Sequence, residues 1–207
     1  MDTTQFYCFK DGWKLAEKLS AIILAGGLSS RMGSCKARLP WEGMDLVRHQ
    51  VRKIQALGIT DILLSGFADP VEGARFVPDL YPQLGPMSGI HAGLLAARQE
   101  QCLVTAVDTP LVPPDTLAEL MQYHLDSGND ITVLSHNGSL EPLMGVYHRR
   151  VAPIAETLLR QRNTAVRRLF DRVAFAAFPY TGDEQLLCDC NTRQDYAQAC
   201  AIRSSRP

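Results

Sequence analysis

Arg31 and Lys36 are the side chains best placed to meet a phosphate, because both follow the run Ala21-Ile22-Ile23-Leu24-Ala25-Gly26-Gly27 within ten residues. An apolar strand there feeds a glycine-bearing loop, Leu28-Ser29-Ser30-Arg31-Met32-Gly33-Ser34-Cys35-Lys36. Gly26 and Gly27 permit a close backbone approach that a side chain would block, so peptide N–H groups can face phosphate oxygens while the two cations offset charge. The spelling differs from the two best-known phosphate loops. A P-loop carries Gly-x-x-x-x-Gly-Lys followed by Ser or Thr, whereas Gly33 is followed by Ser34 and the lysine arrives only at Lys36. The dinucleotide loop needs Gly-x-Gly-x-x-Gly, but after Gly26-Gly27 the next glycine is Gly33. On the glycines alone, a solvated turn after a buried strand explains the block as well as a phosphate cradle does.

Three further blocks carry groups with chemistry. Cys102-Leu103-Val104-Thr105-Ala106-Val107 reads as a buried strand that runs into Asp108-Thr109-Pro110. In open α/β sheets ligands collect at the carboxyl ends of strands, so Asp108 is expected on the same rim as the loop after Leu24. A carboxylate there can hold Mg2+ against a triphosphate; an aspartate that only shapes a turn explains the residue equally well. The second block, Asp79 to Ile90, joins a short strand to a helix through Gly85-Pro86 and Gly89. Free N–H groups at that helix start favour anionic or carbonyl ligands, and the competing reading is a rigid connection with Ser88 as the cap. In the third, Asp189-Cys190-Asn191-Thr192, oxygen donors stand at an expected strand end before a helix, where capping is again the alternative. Arg160, Arg162, Arg167 and Arg168 alternate with apolar residues and read as a solvated helix face rather than a phosphate site.

The elements that must position these groups alternate along the chain. Apolar strands are expected at 20–25, 60–65, 74–77, 102–107 and 130–135. Leu46, Val47, Val51, Ile54 and Leu57 recur at helical spacing before Gly58. A second helix is expected from Ser88 to Arg98, and a third from Pro113-Pro114-Asp115 with Leu117, Leu120, Met121 and His124 on one stripe; His124 reads as a satisfied boundary residue. Asn137-Gly138 signals a hairpin that places an antiparallel strand, around 143–147, near the sheet edge. Helical stretches at 150–161 and 164–171, an apolar run at 173–178 and a helix from about Thr192 complete the chain. The rhythm is that of a mostly parallel sheet covered on both faces.

Composition narrows the class. With 207 residues, 46% of them hydrophobic and 21% charged, the chain has apolar content for one substantial core. Its net charge of -1 argues against a broad nucleic-acid surface, and no apolar run reaches the roughly twenty residues of a membrane span. Six cysteines in a chain of this size read as reduced thiols of a cytoplasmic protein. Cys188 and Cys190 lack zinc-site spacing. Residues 1–19, aromatic but interrupted by charge, stand apart as an extension from a single domain spanning 20–207.

In order, Leu24-Ala25-Gly26-Gly27, Ser30-Arg31-Met32-Gly33, Lys36, Gly85-Pro86-Met87-Ser88-Gly89-Ile90, Asp108-Thr109-Pro110 and Asn191-Thr192 resemble the molybdenum cofactor guanylyltransferase family over most of 20–200. The resemblance implies a Rossmann-like, three-layer α/β fold of the nucleotide-diphospho-sugar transferase type. It implies a Mg2+-dependent nucleotidyltransferase that joins GMP from GTP to the phosphate of molybdopterin and releases pyrophosphate, in transient contact with molybdopterin-delivering proteins or acceptor molybdoenzymes. Residue by residue it assigns Leu24, Ala25 and Gly26 to the nucleotide, Gly27, Arg31 and Lys36 to the phosphates and Asp108 to the metal. Asp79 and Gly85 fall where the family recognises guanine or ribose, and Asn191 where a second metal contact lies, with Asp189 a competitor. Only Ser34-Cys35 separate Gly33 from Lys36, a spacing shared with the related cytidylyl enzymes. Ala25-Gly26-Gly27 and Gly85-Pro86 favour guanine, since those enzymes usually read Ala-Ala-Gly at the first site. CTP use, a sugar-1-phosphate nucleotidyltransferase and a non-catalytic cofactor chaperone are the alternatives.

Overall fold

Leu19–Leu24 (β1) is buried at all six positions, as a strand must be when both faces of its sheet are covered. The computed structural model describes residues 15–26 and 35–206. β1 lies inside a seven-stranded sheet, flanked in parallel by Ile62–Ser65 (β4) and Gln101–Ala106 (β6). Arg75–Val77 (β5) extends the sheet beyond β4, again in parallel. On the other side Ser139–His148 (β8) pairs antiparallel with β6 and with Ile131–His136 (β7), and Phe175–Pro179 (β9) closes that edge parallel to β7. A small hairpin, Pro40–Trp41 (β2) with Met44–Asp45 (β3), stands apart.

Helices cover both faces. Leu46–Ala56 (α1) and Pro114–Ser127 (α3) pack into one core with Leu46, Val51, Ile54, Leu117 and Leu120 inside, and the last helix, Arg193–Ser204 (α5), adds Ala199. Pro86–Ala96 (α2) and Ala152–Arg160 (α4) pack into the other, through Met87, Ile90, Ala155 and Leu158. The caps follow from sequence: the Asp45 carboxylate accepts from Arg48 N–H at 3.0 Å, and Thr192 with Asp195 forms a reciprocal capping box. His124 is buried as expected, with Thr132 Oγ1 and Gln101 Oε1 each 2.9 Å from a ring nitrogen.

The five expected strands are present within two residues of their expected ends. The antiparallel strand is not at the edge. It lies between β6 and β7 and runs for ten residues directly from the Asn137-Gly138 turn, where both residues have positive φ. The apolar run at 173–178 takes the edge position instead, as β9. The expected helix at 164–171 is only a 3-10 turn, Val166–Leu169; α4 ends as Arg162 turns to φ 56, and Val166 and Leu169, three apart, are both buried on a tight turn. α2 begins at Pro86, so Ser88 is inside the helix and buried, its hydroxyl without a hydrogen-bond partner among the described residues. Gly85 holds the cap position. The segment before α5 is a 3-10 turn, Glu184–Leu187, and not a strand.

α2 sits close on β1 because it presents glycine there. A Cβ on Gly93 would fall 2.6–2.8 Å from three side-chain atoms of Ile22. Gly93→Ala is expected to cost about 1–3 kcal/mol through overpacking. Combining it with Ile22→Val, which removes the nearest of those atoms, should recover part of the loss in a double-mutant cycle read by denaturant unfolding.

Candidate active site

The carboxyl ends of β1, β4 and β6 and the start of α2 enclose a cleft of about 710 Å³. Leu24, Ala25 and Gly26 line it from β1, Ala106, Val107 and Asp108 from β6, and Gly85 and Gly89 from α2. The end of β1 is bonded on both sides: Ala25 N–H donates to Ser65 O at 2.8 Å, and Val107 N–H to Leu24 O at 3.0 Å. Its floor is backbone against backbone. A Cβ on Gly26 would lie 2.9 Å from Gly66 Cα, and one on Gly66, at φ +80, would lie 2.2 Å from Gly26 Cα. Gly66 is therefore as necessary to this wall as the glycines of the first loop. Sequence reasoning missed it, because a single glycine after an apolar strand looks like ordinary turn punctuation.

Asp108 lies two residues past the end of β6 on the turn 107–110. Lys36 Nζ donates to its Oδ2 at 2.7 Å and to Asn191 Oδ1 at 2.5 Å. Both members of the ion pair are partly exposed, at 21% and 19%. The C-terminal segment is tied to the same turn by Cys190 N–H donating to Asp108 O at 2.8 Å. Asn191 Nδ2 in turn donates to Asp189 Oδ2 at 3.3 Å. Desolvation, and then repulsion from Asp108 and Glu141, push the Asp189 carboxyl up to about 6. Lys36 and the Asn191 hydrogen bond pull the other way.

On the opposite wall Asp79 Oδ1 accepts from Ser65 Oγ at 2.8 Å, so the loop after β5 is fastened to the end of β4. Tyr81 fastens its middle, donating to Glu156 Oε1 at 2.9 Å and accepting from Arg160 Nε at 3.2 Å. Gln83, at φ 66, and Gly85, at φ 74, present the loop to the cleft.

Of the residues assigned in sequence, Leu24, Ala25, Gly26, Lys36, Asp79, Gly85 and Asp108 line this one cleft, and Asn191 joins it through Lys36. Gly27 and Arg31 lie outside the described residues. The basic cluster does not line the cleft: Arg160 pairs with Glu156, Arg167 donates to Leu140 O, and Arg168 faces Asp171. Among the described residues, no three His, Cys, Asp or Glu side chains form a cage for a metal ion. Asp108 and Asn191 nevertheless offer hard oxygen donors to a position that already accommodates an ammonium cation, and Asp189 stands beside Asn191. That donor set suits a Mg2+ ion, which keeps several waters and takes one or two protein carboxylates together with substrate phosphates.

A glycine-floored cleft at the carboxyl ends of parallel strands, with a cation facing a carboxylate, is where an open α/β sheet takes a ligand, and the matches below place the chain in the nucleotidyltransferase class. Comparison with known proteins gives the family. Residues 21–176 match the MobA-like NTP transferase domain, and the chain belongs to that family. A probable molybdenum cofactor guanylyltransferase of Carboxydothermus hydrogenoformans is 33% identical over 199 residues, covering 91% of this chain and 98% of that protein. The molybdenum cofactor guanylyltransferase of Vibrio cholerae is 29% identical, covering 88% and 92%. The crystal structure of molybdopterin-guanine dinucleotide biosynthesis protein A from Archaeoglobus fulgidus superposes with a TM-score of 0.76 at 24% identity, covering 91% of this chain and 100% of that one, and shares the fold.

A carboxyl whose folded pKa lies above its unfolded value costs stability once it ionises. For Asp189 that cost sets in as pH rises through about 4 and is complete above about 6. Asp189→Asn is therefore expected to raise the melting temperature at pH 7.5 and leave it nearly unchanged at pH 4, as measured by thermal melts. Solvent access to the carboxylate keeps the gain small.

Proposed function

We propose that the chain is a molybdenum cofactor guanylyltransferase, which transfers GMP from GTP to the phosphate of molybdopterin with Mg2+ and releases pyrophosphate. The observation that carries this reading is the meeting of Lys36, Asp108 and Asn191 at the mouth of a glycine-floored cleft, in a chain of the MobA-like family.

The chemistry needs charge management more than proton transfer. A phosphate monoester has its second pKa near 6, so the attacking phosphate is already mostly dianionic at neutral pH and requires no general base. The difficulty is bringing one anion onto another, and in-line positioning with concentrated positive charge meets it. Asp108 and Asn191, with Asp189 as competitor, would hold the divalent ion. When bound, that ion supplies positive charge at the α-phosphate. Lys36 and Arg31 balance charge on the departing pyrophosphate. Leu24, Ala25 and the backbone at Gly26 and Gly27 receive the nucleotide and its phosphates. Asp79, held by Ser65, and the exposed backbone at Gly85 face the base and ribose. A cytoplasmic setting and transient contacts with molybdopterin-delivering proteins or acceptor molybdoenzymes belong to the same reading. In this reading the catalytic domain takes in residues before 20, because the division expected between 1–19 and 20–207 falls inside β1 and Ala16 already belongs to the core.

Pyrophosphate release from GTP and from CTP, each with and without molybdopterin, tests the assignment. GTP with molybdopterin should be the productive pair, and productive CTP would move the chain to the cytidylyl side. Lys36→Ala and Asp108→Ala are each expected to lower kcat by about 10²–10³-fold, the usual cost of one preorganised charge in such a site. Full activity in Asp108→Ala would contradict the metal assignment.

A further inference from the structure

Two buried polar side chains of α1 turn toward the underside of the turn that carries Asp108. Gln50, 1% exposed, donates from Nε2 to Ala106 O at 3.0 Å and to Thr109 O at 3.1 Å. Three residues on, and therefore on the same helix face, Lys53 donates from Nζ to Pro110 O at 2.7 Å. Carbonyls on both sides of Asp108, those of Ala106, Thr109 and Pro110, are thus held from α1. Neither side chain lines the cleft.

These positions are costly ones for polar groups. Burying an amide or an amine in a helix-to-sheet core disfavours folding unless each finds a partner, and Gln50 Oε1 has none among the described residues. Leucine or methionine would satisfy the apolar surroundings of α1 without that cost. What the two side chains supply is a fixed backbone at 106–110. Desolvation pushes Lys53 down to about 7, and since the neutral amine keeps hydrogens to donate, the bond to Pro110 does not depend on the charge.

We propose that Gln50 and Lys53 are positioning residues that preset the Asp108 carboxylate for the metal–nucleotide complex by clamping the turn on either side of it. The proposal rests on reading Asp108 as the metal-holding carboxylate. Its physical basis is that a short carboxylate takes its direction from its own backbone. Groups that orient a ligand from behind typically change metal affinity by about 10–100-fold when removed.

The test uses the full chain with GTP and Mn2+ as the probe, free Mn2+ being followed by its paramagnetic resonance signal. Gln50→Leu, Gln50→Met and Lys53→Met are each expected to weaken Mn2+ binding by about 10–100-fold. Protection against heating by GTP in EDTA should stay at the wild-type level, a readout that general damage to the cleft would lower. Wild-type Mn2+ binding in all three variants overturns the inference, provided that Asp108→Ala abolishes it. Loss of GTP protection in EDTA together with metal binding overturns it as well, because the role is then merely structural. Mn2+ binding that survives in Asp108→Ala marks a failure of the reading of the site itself.

Discussion

Parallel pairing of β6 with β1 is the constraint on which the site depends. The register sets Leu24 opposite Ala106, so the two strands end level and the chain leaving each emerges on the same rim. Lys36 and Asp108 are 72 residues apart in sequence and Lys36 and Asn191 155 apart, yet they meet because these strand ends coincide. The ion pair is partly solvated, and such pairs contribute little to stability. Its significance lies in where it holds three segments, not in how strongly it holds the fold. Burial of β1 and of the two helix-covered faces keeps the protein together.

Much of this was legible from residue type and spacing. The run from Ala21 to Leu24 is apolar at every step, which only a central strand explains well, and Asp108 follows a second such run. Asn137-Gly138 marked its turn because both positions need positive φ. Illegible were features whose cause is tertiary. β8 fits inside the sheet because Gly145 packs against Thr132 and Val133 of its neighbour, contacts that local spacing cannot announce. The stretch at 164–171 has the apolar spacing of a helix, yet it forms one 3-10 turn whose Val166 and Leu169 are buried against the second core, a tertiary contact that spacing does not reveal. Local spacing singles out neither Gln50 nor Lys53, which face inward because the carbonyls they reach belong to a distant loop.

The fold alone would not have settled the chemistry, since doubly wound sheets host many unrelated reactions. The family match over 21–176 narrows the class.

The contact between Gly26 and Gly66 has a mechanical corollary. Where two main chains touch with no side chain between them, there is no soft layer to absorb a displacement, so the strand ends of β1 and β4 move as one body. Asp79 is hooked to Ser65, the residue just before Gly66, so it belongs to that same body. A displacement of Gly26 is therefore passed through Gly66 and Ser65 to Asp79, which makes the two walls a single rigid jaw rather than two independent fingers.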